Sequence, residues 1–422
     1  MSKRRRLNPT TVFDPVHREY ELCPELIDII NTPIFQRLRR LRQLATAHWV
    51  WLGANHTRFE HSISVSYLAR LMAASLQRKQ PELGITDRQI LLLQLAGLLH
   101  DVGHGPFSHL FDDVFLKDVH TSMAHHEERG VVLVDLLLRA SSFDYSTEEI
   151  AFVQALISPK TGQTGFLYDI VANTHSHLDV DKMEYIKRDA RACGLSQGGF
   201  DTDTMRIINA ARVIDDRICY HQKVYEDIYN LFNTRYRLHT TVYRHPAVRA
   251  IHYMVSDALS CSHLPLAESI DDVEAFCQFD DTILDFIRMS TCETQRAARD
   301  IIHRIDTRDL YKVVDTTKRS KPWASGPPTA ALVAACEEGL SADDIIVDYS
   351  CVGFIGKADG HPMDHLRFYD STRPDKSYAI SRRQVSTLLT PRYCEYWTRI
   401  IVRDGDKTAA ARRAWRNWLS TI

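Results

Sequence analysis

Apolar positions along this chain recur mostly at helical spacing. Leu26, Ile29, Ile30, Phe35, Leu38 and Leu41 mark one amphipathic stretch, and Val65, Leu68, Leu71 and Met72 mark another. From Ile90 to Leu99 nearly every residue is apolar, which predicts a helix buried on all sides. Residues 131–138 predict a further buried helix, and Ser146-Thr147-Glu148-Glu149 is a helix start. Asp181, Tyr185 and Asp189 are spaced i, i+4, i+8, so a helix there carries a polar line along one face. Residues 202–315 read as mostly helical. The pattern then changes. Residues 318–329 are rich in Pro, Ser and Lys and predict a mobile loop. Residues 345–349, 368–370 and 378–380 look like strands, as does a pair around Tyr20-Glu21-Leu22, and 408–422 predicts a basic helix. The expected fold is mainly α. A disordered basic tail covers 1–12, a helical core 13–317, a flexible loop 318–329 and a small α+β lobe 330–422.

Composition narrows the class. With 44% apolar and 25% charged residues over 422 positions, the chain reads as a soluble globular protein. A formal net charge of −2 gives no global field for nucleic acid or membrane, so any polyanion must meet local basic clusters. Nine cysteines without a C-x-x-C pair fit a reducing compartment, nucleus or cytoplasm. No apolar run is long enough to span a membrane, and Lys3-Arg4-Arg5-Arg6 is either an import signal or a solvated tail. Four of the six positions from 37 to 42 are arginine, which on a helix would offer forks for phosphate oxygens or simply face solvent.

The chemistry concentrates after the apolar helix, in His100-Asp101-Val102-Gly103-His104-Gly105-Pro106-Phe107-Ser108-His109. A lone His-Asp dipeptide is ordinarily a hydrogen-bonded pair. Here the window 100–126 holds six histidines, where an even spread of the chain's 20 would place one or two. Imidazoles and a carboxylate at the rim of a core suit a transition metal or zinc-like cation. His100 and His104 share a face if the helix continues that far, but Gly103, Gly105 and Pro106 predict that it ends and a tight loop follows.

His61, the pair His100-Asp101 and a later aspartate, for which Asp181 is the best candidate, are arranged as in HD-domain metal phosphohydrolases. The resemblance extends further. Asp14-Pro15-Val16-His17, Thr32-Pro33-Ile34-Phe35-Gln36-Arg37-Leu38-Arg39, Arg58-Phe59-Glu60-His61-Ser62, His100 to His109 and Asp179-Val180-Asp181-Lys182 together resemble the catalytic core of the SAM-and-HD-domain deoxynucleoside triphosphate triphosphohydrolase family. The likeness runs from Asp14 to about the C-terminus, and the sterile-alpha-motif domain of that family is expected to be absent.

The resemblance implies hydrolysis of a dNTP to deoxynucleoside and inorganic tripolyphosphate. It makes His61, His100, Asp101 and Asp181 ligands of one Fe, Zn or Mn ion, with Mg accompanying the triphosphate. His126 would be the proton donor to the leaving 5′ oxygen, held by Asp112, with His109 beside the α-phosphate. Arg58, His104, Lys182 and Arg235 would grip phosphates, while Gln43, Leu44, Tyr185 and Asp189 enclose the sugar. Tyr243 would gate the 2′ carbon, and Arg244 stands where the family has a glutamine. The family assembles as a tetramer through activator nucleotides, GTP or dNTP, and a dimer is the expected form without ligand. Gln36 and Arg39 match the first activator pocket, where Asn31 replaces a guanine-reading aspartate and Thr10 and Thr11 stand where a lysine is expected. Arg206, Lys223, His245, Arg308, Lys312 and Arg382 match the second. Having Asn31 in place of that carboxylate predicts weaker selectivity for guanine.

Two other readings stay open on sequence. One is another HD-type phosphohydrolase or phosphodiesterase using the same four ligands. The other is a scaffold binding single-stranded nucleic acid weakly through the basic tail and the Arg-rich stretch 37–42, which would need no metal.

Overall fold

The computed structural model describes residues 7–421 except 118, 120, 161, 197–202, 356–359, 381–383 and 385–391. The chain divides into two compact units that interleave in sequence. One comprises Met1–Thr234, Pro265–Ile283 and Pro362–Thr387, the other Arg235–Leu264, Leu284–His361 and Leu388–Ile422. The fold is mainly α, as the apolar periodicity predicts.

The first unit opens with an antiparallel hairpin, β1 (Thr10–Asp14) and β2 (Arg18–Leu22), paired Thr10 to Leu22 and Asp14 to Arg18. Residues 10–12 therefore belong to a strand rather than to the expected tail; residues 1–6 lie outside the described residues. Next come α1 (Pro24–Ile30) and α2 (Pro33–Gln36), each with Pro in its first turn, where the missing N–H costs nothing. A 3-10 turn, Arg37–Arg40, follows. The long α3 (Arg58–Lys79) begins where Glu60 reaches back to accept the Thr57 N–H at 2.8 Å. Then come α4 (Asp87–Leu99), α5 (His126–Ala140), α6 (Thr147–Ile157), α7 (Tyr168–Val171) and α8 (Val180–Ala192).

α3 and α4 pack closely against each other. Ser62, Ser64 and Ser66 are buried on α3 beside Val65 and Leu68, and a Cβ on Gly97 would come within 3.0 Å of the Ser66 Cα. Small residues let the two backbones approach, and the apolar run 90–99 closes the core on the other sides. A sheet of order Ala211–Ile214, Arg217–His221, Phe368–Asp370, Arg373–Tyr378 completes the unit. The hairpin at 211–221 interrupts a region expected to be helical. Its turn residues Asp215 and Asp216 are both left-handed, a signal the periodicity does not carry.

The second unit holds helices Pro246–Cys261 and Arg296–Asp306 and an antiparallel sheet of order Lys312–Arg319, Cys394–Val402, Ile345–Gly353. Helix Thr408–Leu419 packs Trp415 into a core with Val314, Trp323, Ile345 and Ile400. The expected mobile loop is correspondingly pinned. Lys318 and Arg319 belong to the strand, and buried Trp323 donates its Nε1–H to Thr398 Oγ1 at 2.8 Å. Among the described residues no helix is long and apolar enough to cross a membrane.

Candidate metal and catalytic site

The close approach of α3 and α4 brings His61 and His100 face to face. The ring of His100, which caps α4, directs Nδ1 to Gly97 O at 2.8 Å, and that of His61 directs Nδ1 to Glu184 Oε2 at 2.5 Å. Each ring thereby presents Nε2 to the same point, and the two Nε2 atoms are 3.2 Å apart. His61 Nε2 lies 3.4 Å from Asp101 Oδ2 and 3.2 Å from Asp181 Oδ1; His100 Nε2 lies 3.5 and 3.4 Å from the same atoms. Donors about 2.1 Å from a shared ion sit about 3.0 Å (octahedral) to 3.4 Å (tetrahedral) from one another. The four side chains expected as ligands thus converge with the edge lengths of a coordination shell, and their N/O mixture fits a transition metal. Burial disfavours the His61 imidazolium, yet Glu184, Asp181 and Asp101 outweigh burial and raise it to about 10. The carboxylates gathered here call for positive charge, which a cation would supply.

The helix ends at Leu99, so His104 does not share a face with His100; it reaches the site through a tight turn instead. Gly103 makes that turn possible, because a Cβ there would lie 2.1 Å from His126 O and 2.4 Å from Gly130 N. His104 Nε2 lies 3.3 Å from Asp101 Oδ1, and its ring stacks on His126 at 3.8 Å, with His109 edge-on to both. Burial, Arg58 and His126 push the His104 imidazolium well below its ordinary range, so the ring is neutral.

Beside it, Asp112 Oδ2 lies 2.7 Å from His126 Nδ1 and accepts the His126 backbone N–H at 2.9 Å, while Oδ1 accepts from fully buried Arg129. Burial pushes the Asp112 carboxyl up, but His126 and Arg129 outweigh it and hold it low. His104, Asp112 and His126 are close enough to be a second metal group. With both Asp112 oxygens taken and an arginine against one of them, the cluster is built as an oriented imidazole instead. Arg58 donates to Asp101 and, through Nε, to Ser108 Oγ at 2.8 Å. Phe107 and Ser108, at φ 59° and 57°, hold left-handed backbone that non-glycine residues adopt at a cost. Asp281 takes the Phe107 N–H at 2.6 Å.

The remaining expected site residues fall into groups. Lys182 pairs with Asp179 at 2.7 Å in the first turn of α8, next to Asp181. Asp189 is buried and bonds His56 Nε2 at 2.7 Å, whereas Tyr185 and Leu44 are half-buried. His104 Nδ1 and Gln43 Oε1 are buried without a hydrogen-bond partner among the described residues, as polar atoms kept for a ligand would be. Asn31 caps α1 at the surface, and Gln36 accepts from Arg39 Nε at 2.8 Å. Arg206 donates to Lys223 O at 3.2 Å. Arg235, Tyr243, Arg244, His245, Arg308 and Lys312 belong to the second unit. There Arg235 donates to Gly353 O at 2.8 Å, Arg308 adds to the burial that lowers His245, and burial brings Arg244 down to about 10. Arg382 lies outside the described residues.

The arginine run is a correction. A 3-10 turn and not an α-helix carries Arg37–Arg40, and Arg37 is fully buried, donating to Phe279 O, Val102 O and His104 O at 3.1, 3.2 and 2.8 Å. Arg40 is held by Asp280 at 2.5 Å, and Arg39 lies 3.5 Å from the centre of the Phe59 ring. A buried guanidinium whose two terminal nitrogens are spent on carbonyls is a strut, not a phosphate clamp.

Sequence reading also missed residues. Glu184 ties His61 to Arg188 at 2.7 Å and His17 at 3.4 Å, and Arg188 reaches Asp14 at 2.8 Å. The signal was present, since Glu184 follows Asp181 by three residues and so shares its helix face. Arg129 likewise lies three after His126. Asp281 had no local signal.

A family model described as the HD domain matches residues 58–164, and one described as the HD associated region matches 202–348. The chain is 34% identical over 421 residues to the deoxynucleoside triphosphate triphosphohydrolase SAMHD1 homolog of Dictyostelium discoideum, covering 98% of this chain and 81% of that protein. Against deoxynucleoside triphosphate triphosphohydrolase SAMHD1 of Homo sapiens it is 34% identical over 463 residues, 96% and 73% of the two chains. The Bos taurus protein gives 34% over 460 residues, 96% and 77%.

Proposed function

Because the chain belongs to the family of SAMHD1-type deoxynucleoside triphosphate triphosphohydrolases, we propose that it hydrolyses a dNTP to the deoxynucleoside and inorganic tripolyphosphate. The observation that carries this reading is the convergence of His61, His100, Asp101 and Asp181 beside the Asp112–His126 pair. These four residues would hold one Fe, Zn or Mn ion, with a Mg ion accompanying the triphosphate. Bound there, the cation would offset charge on a phosphoryl oxygen and make a water a better nucleophile.

The rest falls to side chains. Arg58, Lys182 and neutral His104, with its unpaired Nδ1, meet the phosphates. His109 stands by the α-phosphate. Asp112 fixes Nδ1 of His126, leaving Nε2 to pass a proton to the departing 5′ oxygen. Gln43, Leu44, Tyr185 and Asp189 enclose the deoxyribose. Arg235 and Tyr243 keep the phosphate and 2′-carbon assignments of the family pattern, and Arg244 stands beside them as a substrate-binding residue where the family has a glutamine. Asn31, Gln36 and Arg39 match the family's first activator pocket and Arg206, Lys223, His245, Arg308, Lys312 and Arg382 its second, and a homotetramer assembles from dimers on GTP or dNTP binding. The protein works in the nucleus or cytoplasm, and any contact with single-stranded nucleic acid is weak, since Arg37 and Arg40 are engaged internally.

Product analysis tests the reading: purified protein, each dNTP, Mg or Mn, with and without GTP. Deoxynucleoside plus tripolyphosphate is expected. Monophosphate plus pyrophosphate, or no dNTP turnover under any condition, would replace it with a phosphodiesterase or a binder.

A further inference from the structure

We propose that Asp281, far from the ligands in sequence, is a positioning residue that fixes the spacing between the two walls of the substrate pocket. The inference rests on the site reading above, which makes Gln43 and Leu44 one wall and His104 to His109 the other. A single carboxylate bridges them. Its Oδ1 accepts the Phe107 N–H at 2.6 Å and its Oδ2 accepts the Arg42 N–H at 2.9 Å. Its own N–H donates to Arg40 O at 3.2 Å.

The same segment is fastened on both sides. Arg37 donates to Phe279 O and also to Val102 O and His104 O, so one guanidinium spans the segment and the ligand loop. Arg40 is held by Asp280. Ser108 closes the ring: its Oγ donates to Arg42 O at 2.8 Å and accepts from Arg58 Nε at 2.8 Å.

Two features separate this carboxylate from ordinary packing. The loop it holds contains the consecutive left-handed residues Phe107 and Ser108, a conformation that lasts only where the surroundings enforce it. And Asp281 is buried with its nearest salt-bridging guanidinium, Arg42, at 4.0 Å; burial pushes its carboxyl up to about 7. An apolar side chain would fill the volume without that penalty, but it could not accept from two backbone donors on opposite walls. The wall it secures on one side carries His109 and, through Ser108, holds Arg58, and on the other side it fastens Arg42, the neighbour of Gln43. Releasing either shifts groups that must align on the transition state more than groups that merely bind.

The test is Asp281→Asn, which keeps the size but turns one acceptor into a donor, made in the full chain with its metal. Three readouts are taken: metal content, hydrogen exchange over segments 40–46 and 104–110, and steady-state kinetics on a dNTP. Metal content should be unchanged, exchange in at least one of the two segments should rise, and kcat should fall about tenfold or more with a smaller change in KM. Should this variant not fold, Asp281→Ser is read in the same way. Unchanged exchange in both segments overturns the proposal whatever the activity. So does loss of metal, which would put the carboxylate in service of the ion, or a wild-type kcat with loosened walls. A wild-type enzyme that leaves dNTPs intact would instead defeat the site reading, while the exchange data still judge the clasp.

Discussion

Nδ1 of His61 lies 2.5 Å from Oε2 of Glu184, and this contact decides which atom of the imidazole faces the pocket. Glu184 is itself anchored by Arg188, and Arg188 by Asp14, whose Oδ1 accepts the N–H groups of Val16 and His17 at 2.7 Å. The ring orientation thus traces back to the turn between β1 and β2. Glu184→Gln should weaken metal binding about 10- to 100-fold with the helical fold retained. Titration of metal into the apo protein checks it, and unchanged affinity would remove Glu184 from the site.

Asp181 is the only one of the four donors supplied by α8. Asp181→Ala should leave the far-ultraviolet circular dichroism intact while metal content and turnover vanish. Undiminished turnover would sink its assignment as a ligand.

For His126 the expectation is a split between metal and chemistry. His126→Asn should keep the metal and lose about 10²-fold or more in kcat. Asp112→Ala should do this and also destabilise, because it strands the fully buried Arg129; the cost is about 3–5 kcal/mol by denaturant melts. Stability equal to wild type would mean that Arg129 finds another partner.

Asp348, in the second unit, gives a pH prediction. Burial pushes its carboxyl up, but Arg249, Arg399 and Arg244 outweigh burial and hold it at about 2 against an ordinary 3.8. The folded pKa is depressed, so the stabilisation is present above pH 3.8 and lost as pH falls through about 2. The shift corresponds to roughly 2 kcal/mol. Melts of wild type and Asp348→Asn should converge between pH 5 and pH 2; a gap that stays constant would refute it.

In the proposed activator pocket, Asn31 would stand where a carboxylate accepts from a guanine edge. Activation should therefore discriminate poorly between GTP and other nucleotides, and Asn31→Asp should sharpen it. Strict dependence of the wild type on GTP would count against this.

Much of the site was legible in the chain because its donors are chemically rare and clustered. His100 and Asp101 end an apolar helix, and Asp181 opens a polar one. What escaped was set by partners distant in sequence. Nothing near Arg37 announces that three carbonyls, two of them about 65 residues on, will take its two terminal nitrogens. Nothing near Asp281 announces Phe107. Strand pairs at 211–221 were hidden because a four-residue strand shows too little alternation to outvote its helical flanks. Trp323 sits in a stretch whose composition reads as a loop, yet an indole among Trp415 and Trp418 has nowhere else to go.

The contact of Gly103 with the first turn of α5 has one more consequence. Main-chain atoms, not side chains, set how far the ligand loop stands from the helix that begins with His126, since the gap is too small for a single methyl group. Side-chain substitutions can change what these two elements carry but can hardly change the interval between them. The distance between the loop that carries His100 and Asp101 and the helix that opens with His126 is thus a property of the backbone, a fixed gauge that substitutions at either end leave in place.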